Sequence, residues 1–358
     1  MLELNRIYNM DCLEGIKLLD DNSVDSIVTD PPYELGFMGK KWDSTGIAYN
    51  VELWKECLRV LKPGGHLLAF GGTRTYHRMV CAIEDAGFEI RDCIQWLYST
   101  GFPKSHDISK AIDKKLGAER NRIKFAQSNT WREREGRMDR QATIPDNNPV
   151  TPEAKQWDGW GTALKPAHEP IVVARKPISE KTIAENVLKW GTGGLNIDGC
   201  RIGTEEIKTH GKRKGQGVSL EWSKYTSPEG YEGGIHRGRF PANVILDEEA
   251  GRMLDEQHKG ASRFFYCAKA SGSERGDYNN HPTVKPLSLI KHLVSLVTPV
   301  GGISLDPFMG SGTHAIACME LGVNFIGMEK EKNYYEISIR RIEEYKQKQD
   351  EKKNIKGR

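Results

Sequence analysis

The stretch Val24-Asp25-Ser26-Ile27-Val28-Thr29 runs straight into Asp30-Pro31-Pro32-Tyr33. Its first six residues are apolar or β-branched at most positions and read as a short buried strand. The next four place a carboxylate, a carbonyl held by proline geometry and an aromatic ring at one point. Such groups can grip a flat ring bearing an amine and raise the nucleophilicity of its nitrogen. By composition the tetrapeptide should arise by chance in about one chain of this length in a thousand. Its position at a strand end makes it the anchor of the whole reading.

Outward from this point the chain alternates. Val51–Leu61 reads as a helix closed by Lys62-Pro63-Gly64-Gly65, His66–Phe70 as a strand, Thr75–Ala86 as a helix stopped by Gly87, and Arg91–Tyr98 as a strand. From about 103 to 280, Gly, Pro, Asn and charged residues dominate and periodicity fades. One apolar island, Glu169-Pro170-Ile171-Val172-Val173-Ala174-Arg175, looks like a strand returning to the sheet. Alternation resumes with helix Leu287–Val297, strand Gly302–Leu305, helix Thr313–Leu321, strand Asn324–Met328 and helix Tyr334–Tyr345. The tail 346–358 is charged and is expected to fray. Strands alternating with helices predict an α/β fold with a mostly parallel sheet.

A second segment, Leu305-Asp306-Pro307-Phe308-Met309-Gly310-Ser311-Gly312-Thr313, sits between a strand and a helix. Its glycines allow close approach of backbone to a ligand, and the helix start beyond offers free N–H groups. No Lys follows the Gly-Ser-Gly-Thr, which disfavours a phosphate loop. The third glycine of a dinucleotide fingerprint is missing too. A carboxylate at the strand end repels a pyrophosphate but can hold an ammonium group, so a nucleotide bearing an amino acid fits best. Glu329 ends the next strand, where a carboxylate can accept from ribose hydroxyls. In isolation such a Glu also serves as a helix cap.

The bulk numbers exclude several classes. The chain has 358 residues, 37% of them apolar and 28% charged, which suits a soluble globular protein. No apolar run is long enough to span a bilayer, and Met1–Arg6 has no signal-peptide layout, so the expected location is cytoplasmic. Seven scattered cysteines form no CxxC pair. Reduced packing thiols are expected, with no metal site. Net charge is only +3, but residues 110–140 hold ten Lys/Arg against five Asp/Glu, and 208–239 hold seven against three. Basic patches interleaved with Trp222, Tyr225, Tyr231 and His236 suit a phosphate backbone and unstacked bases; the competing reading is a pair of solvated loops.

Together these residues carry a resemblance. The chain resembles the S-adenosylmethionine-dependent DNA amino-methyltransferases, with Asp30-Pro31-Pro32-Tyr33 as catalytic motif and Asp306-Pro307-Phe308 with Gly310-Ser311-Gly312 as cofactor loop. The catalytic motif comes first and a variable region lies between, an order similar to the β-class. Asn9-Met10-Asp11-Cys12 resembles the segment near the cofactor's adenine, and His281-Pro282-Thr283-Val284-Lys285-Pro286 the motif before the cofactor strand. Gly36–Asp43 and Arg263–Lys269 look like signatures of phage and prophage members.

The resemblance implies a circularly permuted Rossmann-like fold with a seven-stranded sheet and one antiparallel strand near Ile171–Ala174. Residues 1–176 would form the catalytic half with an insertion at 103–165. Residues 177–265 would form the target-recognition region, and 266–345 the cofactor half. It implies that Asp30 and the Pro31 carbonyl accept from the target amine and that Tyr33 stacks on a flipped base. Asp306 would bind the methionine ammonium and Glu329 the ribose, while Pro307, Phe308, Gly310, Ser311, Gly312 and Thr313 would shape the pocket. Asp11 and Cys12 would lie near the adenine. Lys285 or Thr283 would meet the methionine carboxylate, or Lys285 is a surface cation in a proline turn. Trp42 and Phe37 are either core or a wall over the base, and Trp157 and Trp160 either stack on DNA or seal the insertion. Candidate DNA contacts are Lys40, Lys41, Trp42, Lys212, Arg213, Lys214, Arg237 and Arg239. The implied partner is double-stranded DNA, with homodimers common in the family. An Asp at the first motif position resembles adenine-N6 enzymes of restriction-modification systems. Cytosine-N4 methylation, RNA or protein-glutamine methylation, and an inactive DNA-binding module are the alternatives.

Overall fold

A computed structural model describes residues 2–36, 41–101, 105–124, 143–208, 234–268 and 278–356. It divides into two units, Met1–Ser99 with His168–Arg358, and Thr100–Ala167. The first unit opens with β1 (Arg6–Tyr8), α1 (Cys12–Lys17), β2 (Val24–Thr29), α2 (Val51–Val60), β3 (Leu61–Phe70), α3 (Tyr76–Asp85) and β4 (Glu89–Leu97). The second unit holds α4 (Ile108–Lys115), β5 (Arg122–Lys124), β6 (Thr143–Pro145) and α5 (Pro152–Gln156). The first unit resumes with β7 (His168–Arg175), α6 (Ile183–Trp190), β8 (Ile202–Lys208), β9 (Ile235–Arg239), β10 (Val244–Asp247), α7 (Glu248–Gln257) and β11 (Tyr266–Ala268). It ends with α8 (Leu287–Val297), β12 (Ile303–Asp306), α9 (Thr313–Leu321), β13 (Asn324–Met328) and α10 (Lys332–Lys356).

One sheet organises the larger unit, in the order β1-β13-β12-β2-β3-β7-β4-β10-β11. Every residue of β2 is buried, as a central strand covered on both faces requires. Two apolar clusters flank the sheet. One gathers α8 and α9 residues such as Leu293 and Ala317. The other gathers α2 and α3 residues such as Trp54 and Ile83. On α2 the buried positions Leu53, Trp54, Cys57 and Val60 follow the three-and-four spacing of one helix face. The Asn50 side chain accepts from Glu52 N at 3.0 Å to start that helix. Only β7 runs antiparallel to both neighbours, β3 and β4, as the island at Ile171–Ala174 predicts.

The sheet has nine strands rather than the expected seven. The surplus is β10 and β11, which extend the edge beyond β4 with Ile245 beside Trp96 and Leu246 beside Cys267. At four and three residues they are too short to show a period of their own. Pairing with an existing edge makes them strands. Lys62-Pro63-Gly64-Gly65 does not close α2 but opens β3. Lys176 N donates to Gly65 O at 2.9 Å and Gly64 N to Lys176 O at 3.0 Å. The charged tail continues α10 as far as Lys356 instead of fraying. Among the described residues no helix is long and apolar enough to cross a membrane.

In the smaller unit, buried Asp113 accepts from Arg120 Nε at 2.7 Å and from Thr151 N and Oγ1 at 3.0 and 2.8 Å. That carboxylate joins α4 to the start of α5. Trp157 and Trp160 pack edge to face, centroids 5.1 Å apart, and both remain exposed.

Candidate active site

Strands β2 and β12 are parallel neighbours, with Ser304 beside Ser26 and Leu305 beside Ile27. From this pair the chain continues to β3 on one side and to β13 on the other. The strand order therefore reverses here, and ligands of open α/β sheets bind at such a point, at the strands' carboxyl ends. Asp30 follows β2 and Asp306 ends β12. Thr29 spans the gap, its Oγ1 donating to Asp306 Oδ1 at 2.6 Å with both residues buried. Behind them Ser26 Oγ meets Ser304 Oγ at 3.0 Å and Thr298 Oγ1 at 2.7 Å. These bonds lock the register of the two strands that carry the motifs.

Asp30 anchors one oxygen and leaves the other bare. Oδ2 lies 2.6 Å from Lys285 Nζ, while Oδ1 is buried without a hydrogen-bond partner among the described residues. Lys285 is only 8% exposed and also lies 3.3 Å from Glu169 Oε2. Burial opposes its charge, but Asp30 and Glu169 outweigh that cost and hold its pKa above the ordinary lysine value. Glu169 also accepts from Tyr33 Oη at 2.7 Å. Burial first, then Asp30 and Glu169, push the Tyr33 hydroxyl well up, so it stays a donor. The Lys285 ammonium sits over the Tyr33 and Phe70 rings, 5.3 and 4.9 Å from their centroids. The loop beyond is braced by Asp43, whose carboxylate accepts from Glu34 N at 3.0 Å and Leu35 N at 3.2 Å.

Asp306 shows the same half-anchored pattern. Its Oδ1 accepts from Thr29 and from Phe308 N at 3.0 Å, and Oδ2 has no partner among the described residues. Burial pushes its pKa up to about 7 against the pull of those two donors. Glu329 accepts from Gly310 N at 2.8 Å and Glu331 N at 2.7 Å, and burial raises it to about 7 as well. Glu329 thus ties the glycine loop to the end of β13, and each of its oxygens keeps a spare lone pair able to accept a further hydrogen bond. Gly312 adopts φ +84°, and a Cβ there would stand 3.0 Å from Ser338 Cβ. Gly310, at φ +54°, would set a Cβ 3.1 Å from His281 Nε2. Both glycines are therefore demanded by backbone conformation and packing.

Several expected roles change with this geometry. Lys285 is not a surface cation: it is buried, with Asp30 and Glu169 as its partners. The Ser311 and Thr313 hydroxyls turn to Arg341 of α10, which donates to them at 2.9 and 3.1 Å and to Ser311 O at 2.7 Å. Tyr33 does not stand clear: its ring packs on the core cluster and its hydroxyl is engaged. Thr283 is exposed, with its N–H 3.4 Å from His281 Nδ1. Pro307 is buried and Phe308 half-buried against the second cluster. Asp11 caps α1 through Leu13 N at 3.0 Å and pairs with Lys330 at 3.0 Å. Neighbouring Cys12 is buried, and burial raises its thiol to about 12. Asn9 Nδ2 donates to Glu329 O at 2.8 Å, so this segment does border the glycine loop's carboxylate.

Phe37 lies outside the described residues, and so, among the candidate DNA contacts, do Lys40, Lys212, Arg213 and Lys214 and the side chain of Lys41. Trp42 is half-buried. Arg237 and Arg239 lie on β9, which pairs antiparallel with β8; Arg237 is exposed, and Arg239 pairs with Glu205 at 2.5 Å while lying over the Phe264 ring. Sequence reasoning missed Thr29, Glu169 and Arg341. Glu169 had a signal: it opens an island expected to run antiparallel, and an antiparallel strand begins at the edge where its neighbours end.

An open doubly wound sheet with a proline-braced carboxylate and an acid-ended glycine loop at its reversal point defines a Rossmann-like, nucleotide-using methyltransferase. The crevice is acidic, with two spare carboxylate oxygens, which suits a cationic ligand bearing an ammonium and a sulfonium group. The chain belongs to the N6/N4 DNA methylase family, whose sequence model matches residues 24–340. It is a DNA methyltransferase that takes its methyl group from S-adenosylmethionine. Among curated proteins it is similar to the type II methyltransferase M.HindIII of Haemophilus influenzae, 27% identical over 94% of each chain. It is also similar to the type II methyltransferase M.HpaI of Haemophilus parainfluenzae, 23% identical over 94% of this chain and 74% of that one. Among solved structures, the cytosine-N4-specific PvuII DNA methyltransferase shares the fold. Its TM-score is 0.50 at 14% identity, over 94% of this chain and 85% of that one.

Proposed function

We propose that the protein methylates the exocyclic N6 of adenine in double-stranded DNA, on a base turned out of the helix. The carrying observation is Asp30 Oδ1, a buried carboxylate oxygen with no partner among the described residues, beside the Asp306 carboxylate. An unpaired buried acceptor costs stability unless a ligand fills it. An exocyclic amine supplies the missing donor. The amine of adenine is conjugated to its ring and is a weak nucleophile. Asp30 Oδ1 and the Pro31 carbonyl accept its two hydrogens and favour a pyramidal nitrogen whose lone pair is free to attack.

S-adenosylmethionine supplies a methyl group on a sulfonium sulfur. Asp306 Oδ2 holds its ammonium, Glu329 its ribose hydroxyls, and the segment Asp11–Cys12 lies near its adenine. Positioning for direct in-line transfer is the main catalytic device. Tyr33 offers the base the ring face opposite Lys285, its orientation set by the Glu169 hydrogen bond. Extrusion of the base is required because a stacked nucleotide cannot reach the strand ends.

The antiparallel pair β8 and β9 belongs to the proposed target-recognition region at 177–265. Arg239 and Arg263 both lie 5.1 Å from the Phe264 centroid, and Arg201 lies 6.0 Å from that of Phe240. Guanidinium groups held over exposed rings suit phosphate and base contacts alike. The choice of adenine rests on Asp at the first motif position.

The test incubates the protein with labelled cofactor and duplex DNA and identifies the modified nucleoside. N6-methyladenine is expected, and N4-methylcytosine would refute the adenine assignment. Asp30→Ala should abolish transfer and leave cofactor binding largely intact. Loss of cofactor binding instead would refute the division of labour between the two motifs.

A further inference from the structure

We propose that Lys285 and Glu169 are positioning residues for the transfer step: Lys285 clamps Asp30 by one oxygen so that the other meets the target amine, and Glu169 keeps the cluster negative. The proposal rests on the reading of Asp30 as acceptor of that amine. Three distant segments converge to build it. Asp30 lies at the end of β2, Glu169 at the start of β7, and Lys285 just before α8, 255 residues beyond Asp30. Glu169 is itself fixed by the Tyr33 hydroxyl, so no member of the cluster is free to swing.

The charges explain why a lysine and a second carboxylate are both present. Lys285 with Asp30 alone would form a neutral pair and weaken Asp30 as an acceptor. Adding Glu169 makes the sum one negative charge. In the transfer, the nitrogen lone pair forms the C–N bond while the C–S bond breaks and its electron pair stays on sulfur. Positive charge thereby moves onto the nitrogen, which then loses its surplus proton by way of Asp30 Oδ1 to water. A fixed cluster carrying one negative charge favours that displacement, because its dipoles need no rearrangement as charge develops.

Asp30 is faced by Lys285, Glu169 and Tyr33, and by Asp306 across the strand pair. Tyr98 lies behind, near Glu169 and Lys285. Removing a neighbouring cation makes a carboxylate harder to ionise, and removing a neighbouring anion makes it easier. Lys285→Met should therefore move the acid limb of the kcat profile to higher pH by about one unit or more. Glu169→Gln should move it to lower pH, yet cut the plateau rate about tenfold or more through the lost negative charge. Lys285→Arg keeps the cation and should restore the limb to its wild-type position. Cofactor dissociation constants should stay within about twofold of wild type, since the effect of both residues is exerted on Asp30.

Titration of the Asp30 carboxyl, followed by NMR of 13C-labelled aspartate in the full-length free protein, reads the same two shifts without turnover. Opposite shifts in the two variants support the clamp, and they do so even where no methyl group reaches DNA, a result that refutes only the proposed function. An unmoved Asp30 titration, or shifts of the same sign in both variants, overturns the clamp whatever the activity.

Discussion

Thr29→Val tests the link between the two motifs most directly. The substitution keeps the shape of the side chain and deletes the hydroxyl that donates to Asp306 Oδ1 at 2.6 Å. That bond favours the ionised carboxylate, and burial already holds Asp306 at about 7. Losing one such bond costs the charged form about 1.4 kcal/mol, or about one pKa unit. At pH 7 the ionised fraction should fall from about one half to about one tenth. If the ionised carboxylate holds the cofactor's ammonium, the apparent Kd should weaken about fivefold at pH 7 and by almost nothing at pH 9, where both proteins are ionised. Isothermal titration with S-adenosylmethionine across this range reads the effect without turnover. An equal loss at every pH, or none at pH 7, would refute the role given to Asp306.

Three further outcomes follow from the same geometry. Gly312→Ala forces a side chain into a left-handed backbone and against Ser338, and should lower stability by about 2 kcal/mol or more, read as a lower urea midpoint. Arg341→Leu strands the buried Ser311 and Thr313 hydroxyls. It should cost about 2 kcal/mol and weaken cofactor binding more than DNA binding, measured by melting with and without each ligand. His66 is held near 4 by burial, then by Arg175 and Arg91, so the folded state resists a proton that the unfolded chain takes up near 6.5. Stability on its account is present above about 6.5 and is lost as pH falls towards 4. His66→Phe should flatten this slope by about 2 kcal/mol at pH 4.5, and an unchanged slope would refute the assignment.

The motif-bearing elements were legible because their signals are local. Strand β2 is announced by its own six residues, and α8, α9 and β13 have the bounds their sequence periods predict. The order of the two motifs revealed the permuted topology, since no partner needs to be known to read it. Other contacts were not legible, for one reason. The Ser311 and Thr313 hydroxyls are polar groups in the glycine loop, and nothing nearby in sequence indicates that Arg341, 30 and 28 residues on, has claimed both of them. Strands β10 and β11 exist because β4 offers them an edge.

Capping bonds, backbone conformation and amphipathic spacing act within a few residues of one another, so the chain's linear order specified the elements, the two carboxylate motifs and the family. Charge pairing falls off with distance in space, not along the chain. Which carboxylate Lys285 neutralises, which oxygen of Asp30 is left bare and which hydroxyl bridges to Asp306 all depended on how the strands were laid side by side. Those contacts turn two recognisable motifs into one site.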